Sequence, residues 1–194
     1  MPRNEHAWSS RDRRVEWLRK LGLVLVLSAC LIHTAARAEN STARVRAELW
    51  GGDTFNGQGH WLHDLYLVHA VEFEWMLFGH VSMGLRGLPL LTYLDTRPIA
   101  GAGLSVTNRL YWERDGNGLY LAPEIAVVAH YARFESNSSY INLLSSLDVG
   151  YQFRDSPLRI GLKLEHMSNA NLTAHNRGWN GISLLVGWSL WRAR

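Results

Sequence analysis

The chain has 194 residues, a formal net charge of +3 and a single cysteine, so an intrachain disulfide is excluded. Residues 1–38 hold seven of the 20 Lys and Arg residues and three of the 17 Asp and Glu residues, which leaves a net charge of about −1 on the remainder. The basic character therefore belongs to the N-terminal segment and gives no support for nucleic-acid binding.

This N-terminal segment has the pattern of a secretory signal peptide. A basic stretch that ends at Arg19-Lys20 precedes the apolar stretch Leu21–Ile32, and Ala36-Arg37-Ala38 matches the small-residue pattern before a cleavage site. The apolar stretch is shorter than the roughly 20 residues of a membrane-spanning helix, which favours export over an anchor. We expect cleavage before Glu39, with acylation of Cys30 in the lipobox-like Leu27-Ser28-Ala29-Cys30 as the alternative.

Beyond residue 38, short segments in which apolar and polar residues alternate predict β-strands. In chain order they are Val45–Trp50, about 61–78, about 80–94, Gly101–Trp112, Leu119–Tyr131, Leu143–Phe153, Leu158–Ser168 and Asn180–Leu190. The alternation is clearest in the last four segments. Before residue 98 it does not define the register, and the stretch 63–78 could hold one strand, a turn and part of a second.

The connections between these segments favour a membrane barrel. Short polar turns at 115–118 and 154–157 alternate with longer polar loops at about 134–142 and 169–179, as in outer-membrane barrels. A soluble sandwich would bury the same apolar face in its core, but small and charged residues on the opposite face suit a crowded lumen. Aromatic residues near the segment ends suit interfacial belts: Tyr111, Trp112, Trp179, Trp188 and Trp191. We predict an all-β fold, an eight-stranded antiparallel outer-membrane β-barrel.

The last two segments carry polar side chains on their apolar face. His166 and Ser168 have the parity of the four apolar residues from Leu158 to Leu164, so they are predicted to point outward. Asn180 has the parity of the apolar residues in the final segment, and antiparallel pairing can place it beside His166 or Ser168. If the 154–157 turn is periplasmic, this cluster lies at the depth of the outer leaflet, where the lipid is lipopolysaccharide.

A serine beside a histidine can cleave an ester. Ser168 would be the nucleophile, His166 the base that takes its proton, and Asn180 the group that orients the imidazole. Asn169, or backbone N–H groups of the loop that contains Gly178, would hold the oxyanion or bind substrate. Without further context, such a pair is more often an interfacial histidine and a serine that starts a loop than a catalytic dyad.

One stretch of the chain resembles a known family. Glu165-His166-Met167-Ser168-Asn169-Ala170-Asn171-Leu172, followed by Asn176-Arg177-Gly178-Trp179-Asn180 and an alternating final strand, is similar to the signature of the lipid A 3-O-deacylase (PagL) family. The likeness covers roughly residues 95–190 and is specific over 160–188. It implies that the final strand closes an eight-stranded barrel, and that residues 39–194 form an outer-membrane lipid A deacylase domain behind a signal peptide at 1–38.

The resemblance also implies an activity and its residues. The family hydrolyses the ester at the 3-position of lipid A in lipopolysaccharide and releases a 3-hydroxy fatty acid, without a metal or cofactor. Its catalytic histidine falls on His166 and its serine on Ser168, whereas its third member, a glutamate in the best-studied protein, falls on Asn180. Glu165 does not easily replace that glutamate because its parity points into the lumen.

These patterns leave several alternatives open. The chain could be a structural or adhesive barrel without chemistry, or an acyltransferase barrel that admits a second substrate. The seven histidines beyond residue 38 join no Cys or carboxylate cluster at metal spacing, so no metal site and no cofactor are predicted. The predicted partners are lipid A and outer-membrane lipid, not nucleic acid, and a homodimer is left open.

Overall fold

The chain forms a closed barrel of eight strands. The computed structural model describes residues 43–56, 59–94, 99–133, 137, 139–173, 175–176 and 178–192. The strands are β1 (Ala43–Phe55), β2 (Leu65–Phe78), β3 (Val81–Leu94), β4 (Ile99–Tyr111), β5 (Gly118–His130), β6 (Ile141–Gln152), β7 (Leu158–Ser168) and β8 (Trp179–Arg192). Each strand pairs antiparallel with the next, and β8 pairs with β1 to close the sheet. The predicted eight-stranded antiparallel barrel is confirmed, whereas the predicted signal peptide, its cleavage site and Cys30 lie outside the described residues.

The strands present large apolar side chains outward and polar ones inward. In β5 exposed and buried residues alternate without interruption: Leu119, Leu121, Ile125 and Val127 are exposed, and Glu124 is buried. Among the described residues, large apolar side chains are exposed on all eight strands. This inversion of the usual soluble pattern is typical of a barrel whose outer wall faces lipid.

The lumen contains a buried network of ion pairs beside a cluster of buried apolar and aromatic side chains. The carboxylate of Glu72 lies within 3.6 Å of guanidinium nitrogens of Arg46, Arg86, Arg109 and Arg159. Among the described residues, the buried charged residues of the lumen are Arg44, Arg46, Glu48, Glu72, Glu74, Arg86, Arg109, Glu124, Asp148, Arg159, Lys163 and Glu165. Cations and carboxylates therefore lie next to one another in this network. Such pairing lowers the free-energy cost of burying their charges.

Three of the four connections at one end of the barrel are longer than any connection at the other end. Residues 79–80, 112–117 and 153–157 connect strands at one end, the turn end, where β1 begins and β8 finishes. Residues 56–64, 95–98, 131–140 and 169–178 connect strands at the opposite end, the loop end. Within the described part of the chain, no helix has the length and apolarity needed to cross a membrane.

Two details of the sequence interpretation were wrong. The stretch 65–78 is one continuous strand, and no turn divides it. Tyr111 and Trp179 are buried in the lumen, not part of an interfacial belt, because each has the inward parity of its strand. Trp112, Trp188 and Trp191 are exposed, as a belt requires.

Candidate active site

β7 and β8 bring three polar side chains together on the outer wall at the loop end. His166 lies directly opposite Asn180 in the β7–β8 ladder, and Ser168 is the last residue of β7. The His166 side chain is exposed, whereas Ser168 and Asn180 are half-buried. Because successive residues of a strand alternate between faces, His166 and Ser168 share the outer face with the leucines that precede them.

A hydrogen bond between His166 and Asn180 defines which ring nitrogen carries the proton. The Nδ1 atom of His166 lies 2.9 Å from the Oδ1 atom of Asn180. An amide oxygen can only accept, so Nδ1 must donate, and the neutral ring keeps its lone pair on Nε2. Asn180 therefore selects the tautomer that a general base needs.

Ser168 stands where the chain leaves the strand and turns sharply. Its hydroxyl oxygen accepts a hydrogen bond from the backbone N–H of Ala170 at 3.4 Å, which leaves its own proton to be donated elsewhere. Ala170 and Asn171 have φ of 51° and 62°, in the left-handed region. This turn aims a backbone N–H group at the serine oxygen, close to where an acyl carbonyl would meet it.

Gly178 closes the loop against the histidine and the serine. A Cβ atom at this position would lie 2.6 Å from the carbonyl oxygen of Met167, 3.0 Å from Cε1 of His166 and 3.2 Å from Cβ of Ser168. Such distances leave no room for a side chain, so the close approach of the returning backbone requires glycine. The structure thus brings Gly178 together with His166, Ser168 and Asn180.

Asn169 lies apart from these outer-face groups. Its side chain is fully buried, and its Nδ2 donates to Asn137 Oδ1 at 2.9 Å and to the carbonyl oxygen of His175 at 2.9 Å. Its backbone N–H donates to Asn176 Oδ1 at 2.8 Å. Both groups that could hold an oxyanion are therefore engaged in the loop. Asn169 follows Ser168 in the chain, but its alternate parity turns its side chain inward.

Asn169 belongs to an asparagine network that the sequence interpretation missed. Asn137 donates to Asn142 Oδ1 at 2.6 Å, and Asn176 donates to Asn171 Oδ1 at 3.0 Å. A backbone bridge between Asn137 and Asn176 connects the 131–140 and 169–178 loops. The three asparagines within residues 169–178 were the available signal in the sequence, but the contact with Asn137 is visible only in the structure.

The inner side of the same strands is tightly packed. Met167 and Trp179 face the lumen opposite each other, between the outward groups, and Trp179 contacts the rings of Tyr66 and Tyr93, each 5.2 Å away between centroids. Glu165 also points inward, where it accepts hydrogen bonds from Trp50 at 3.0 Å, from Tyr66 and from Ser183 at 3.0 Å. This packing holds the β7–β8 register that pairs His166 with Asn180.

The described residues contain no group of three or more His, Cys, Asp or Glu side chains that could hold a metal ion.

Comparison with known proteins gives one family and two similar structures. Residues 43–189 match the family described as Lipid A 3-O-deacylase (PagL). The crystal structure of the outer membrane enzyme PagL is 17% identical, covers 74% of this chain and 98% of that chain, and superposes with a TM-score of 0.60. The crystal structure of Neisserial surface protein A (NspA) is 8% identical, covers 78% of this chain and 100% of that chain, and has a TM-score of 0.50. At these identities the structures show a shared barrel fold. A search of curated proteins finds no match.

Proposed function

The chain belongs to the lipid A 3-O-deacylase (PagL) family, and we propose that it is an outer-membrane esterase that hydrolyses the 3-O-linked acyl ester of lipid A and releases a 3-hydroxy fatty acid. The observation that supports this most strongly is the 2.9 Å contact between His166 Nδ1 and Asn180 Oδ1 on the outer wall, beside Ser168. It leaves the Nε2 lone pair free to act as a base.

The first half of the reaction acylates the serine. Ser168 Oγ attacks the ester carbonyl carbon while Nε2 of His166 takes the hydroxyl proton. The backbone N–H of Ala170, which points at Ser168 Oγ at 3.4 Å, stabilises the negative oxygen of the tetrahedral intermediate. The bond to the sugar oxygen then breaks, and His166 returns the proton to this leaving alkoxide.

The second half releases the fatty acid. A water molecule attacks the acyl-serine carbonyl and gives one proton to Nε2 of His166. Collapse of this second intermediate breaks the bond to Ser168 Oγ, which recovers its proton from the imidazolium. The products are a free fatty acid and a sugar hydroxyl, and no other reactant is needed.

The position of the site on the wall accounts for its substrate class. His166 and Ser168 open sideways from the barrel, not into the lumen, so they meet a bilayer lipid directly. A polar side chain on a lipid-facing wall costs free energy, up to about 2–4 kcal/mol for a charge at the midplane and less near the interface. A site at the loop end, on the outer-leaflet side, lowers this cost and reaches an ester near the headgroup.

The proposal is tested by mass spectrometry of lipid A from cells that express the wild type or Ser168→Ala. We expect one 3-hydroxyacyl chain to be lost with the wild type only. Ser145→Ala is the matched control, because this serine lies opposite His166 on the same outer face and donates only to the His166 carbonyl oxygen, at 3.4 Å. Unchanged lipid A with the wild type would favour a structural barrel, and a gained chain would favour acyl transfer.

A further inference from the structure

A carboxylate lies on the apolar outer wall near the candidate active site. Asp53 has the outward parity of β1 and lies opposite Ile182 of β8, two residues from the pair formed by Phe55 and Asn180. Its Oδ1 accepts the backbone N–H of Thr54 at 2.8 Å, and its Oδ2 lies 3.3 Å from Nδ1 of His63. A carboxylate at a lipid-facing position is costly and marks a functional site by default.

His63 completes this second polar group. It has a φ of 59°, in the left-handed region that few non-glycine residues adopt. Its side chain is 80% exposed, although Nδ1 is engaged by Asp53. Because the carboxylate accepts from Nδ1, the Nε2 edge of the ring faces outward and can bind a polar ligand.

An aromatic pair lies between this group and the candidate catalytic residues. Phe55 lies opposite Asn180 in the β1–β8 ladder and forms a backbone bridge with Trp61. The two rings pack edge to face with centroids 5.6 Å apart, and Trp61 is 51% exposed. We call Asp53, Phe55, Trp61 and His63 the rim patch.

The opposite side of Ser168 has different chemistry. Ser168 lies opposite Leu143 of β6, which pairs with Val127 of β5, which in turn pairs with Leu104 of β4. This row is apolar, whereas the rim patch on the β8–β1 side combines aromatic rings with a carboxylate and an imidazole. The proposed substrate has the same two parts, because its ester joins an apolar acyl chain to a polar sugar.

The spacing suits a sugar joined to the scissile ester. Neighbouring strands lie about 4.8 Å apart, so Phe55, two strands from His166, is roughly 10 Å away along the wall. Residues 53–56 and 59–64 contain no Lys or Arg, and Asp53 would repel a phosphate. A neutral ring with hydroxyl and amide groups fits the patch better, because its donors can bind the carboxylate.

We propose that the rim patch binds the sugar headgroup of the lipid, with the acyl chain lying over the Leu143 side. One face of the sugar ring packs on Trp61 and Phe55. The Asp53 carboxylate accepts hydrogen bonds from the sugar, and Nε2 of His63 contacts a further hydroxyl. This inference rests on the proposed function and assigns the orientation of its substrate.

The test compares a substrate with the sugar and one without it. Asp53→Asn and Trp61→Ala are assayed for kcat/KM on lipid A in detergent micelles and on a p-nitrophenyl ester of a 3-hydroxy fatty acid. We expect a loss of about tenfold or more on lipid A and less than about twofold on the p-nitrophenyl ester, as for a site built to hydrogen-bond its substrate. Trp112→Ala is the matched control, an 82% exposed tryptophan at the turn end, and should leave both rates unchanged.

Measurements of lipid binding distinguish a failure of this inference from a failure of the proposed function. In a Ser168→Ala background, adding Asp53→Asn should raise the Kd for lipid A about tenfold and leave the Kd for a sugar-free phospholipid unchanged. Equal losses on both substrates, or unchanged binding and turnover of lipid A, would overturn the rim patch as a sugar site. If the wild type hydrolyses neither ester but the binding difference persists, the proposed hydrolysis fails and the sugar site stands.

Discussion

The imidazole of His166 meets the amide of Asn180 and not a carboxylate. The Oδ1 atom of Asn180 lies 2.9 Å from Nδ1 of the imidazole, from a position directly opposite in the β7–β8 ladder. An amide oxygen selects the tautomer as well as a carboxylate does, but it carries no charge to stabilise the imidazolium that the proposed mechanism forms. The two roles of the third residue are therefore separable in this chain.

Substitutions at Asn180 should separate selection of the tautomer from stabilisation of the imidazolium. Asn180→Ala removes the hydrogen bond that selects the tautomer and should lower kcat by about tenfold or more, whereas Asn180→Glu keeps an acceptor, adds the missing charge and should raise kcat several-fold. Steady-state rates on lipid A micelles measure both. If neither substitution changes the rate, Asn180 has no orienting role.

Gly178→Ala should inactivate the protein without unfolding it. The added Cβ would lie 2.6 Å from the Met167 carbonyl oxygen, so the loop must shift away from His166 and Ser168. We expect kcat to fall by about 100-fold, since displacement of about 1 Å has effects of that size. Gly87→Ala is the control, because the Cβ there meets only the Val71 carbonyl oxygen at 3.9 Å. Near-wild-type activity of Gly178→Ala would mean that this close approach is dispensable.

The asparagine network can be distinguished from a direct catalytic role of Asn169. Asn169→Ala removes the donor to Asn137 Oδ1 and the acceptor of the Asn171 backbone N–H, at about 1–3 kcal/mol for each group that is left buried and unsatisfied. We expect Asn137→Ala, on the other loop, to lower kcat comparably, because both changes loosen the turn that aims the Ala170 N–H at Ser168. Thermal unfolding and turnover are measured for each variant. A loss of turnover in Asn169→Ala alone would instead indicate direct contact with the oxyanion.

The lumen network should control stability. Glu72→Gln removes the carboxylate that four arginines share and should lower the free energy of unfolding by about 3–5 kcal/mol, because buried cations lose their compensation. Urea unfolding followed by the mobility of the unheated barrel on SDS gels measures this. Glu113→Gln is the control: its pair with Arg154, 2.5 Å apart, is exposed to solvent, so its loss should leave the free energy of unfolding nearly unchanged. Equal effects of the two changes would show that the lumen pairs do not govern stability.

The sequence alone determined the barrel and the outward direction of its polar cluster. The alternation in β5 to β8 is a local property of each strand, because successive side chains of a pleated chain must point to opposite faces. That rule predicted the outer-face positions of His166, Ser168 and Asn180, and the inward position of Glu165, without any knowledge of neighbours. The rule also holds for Tyr111 and Trp179, whose parity places them inside; the belt interpretation was wrong because it used only their positions near segment ends.

Only the tertiary structure decided what surrounds this cluster. The engagement of Asn169 by Asn137 and the pairing of Phe55 with Asn180 depend on segments that are distant in the chain, and the fit of Gly178 against Met167 depends on the path of the loop between them. The parity of a residue determines which face of the sheet its side chain occupies. Its partners are determined by strand register, by loop contacts and by the pairing of β8 with β1 that closes the barrel. For that reason residues 158–190 alone predicted that the candidate site faces outward. The residues that pack around the site could be identified only from the tertiary structure.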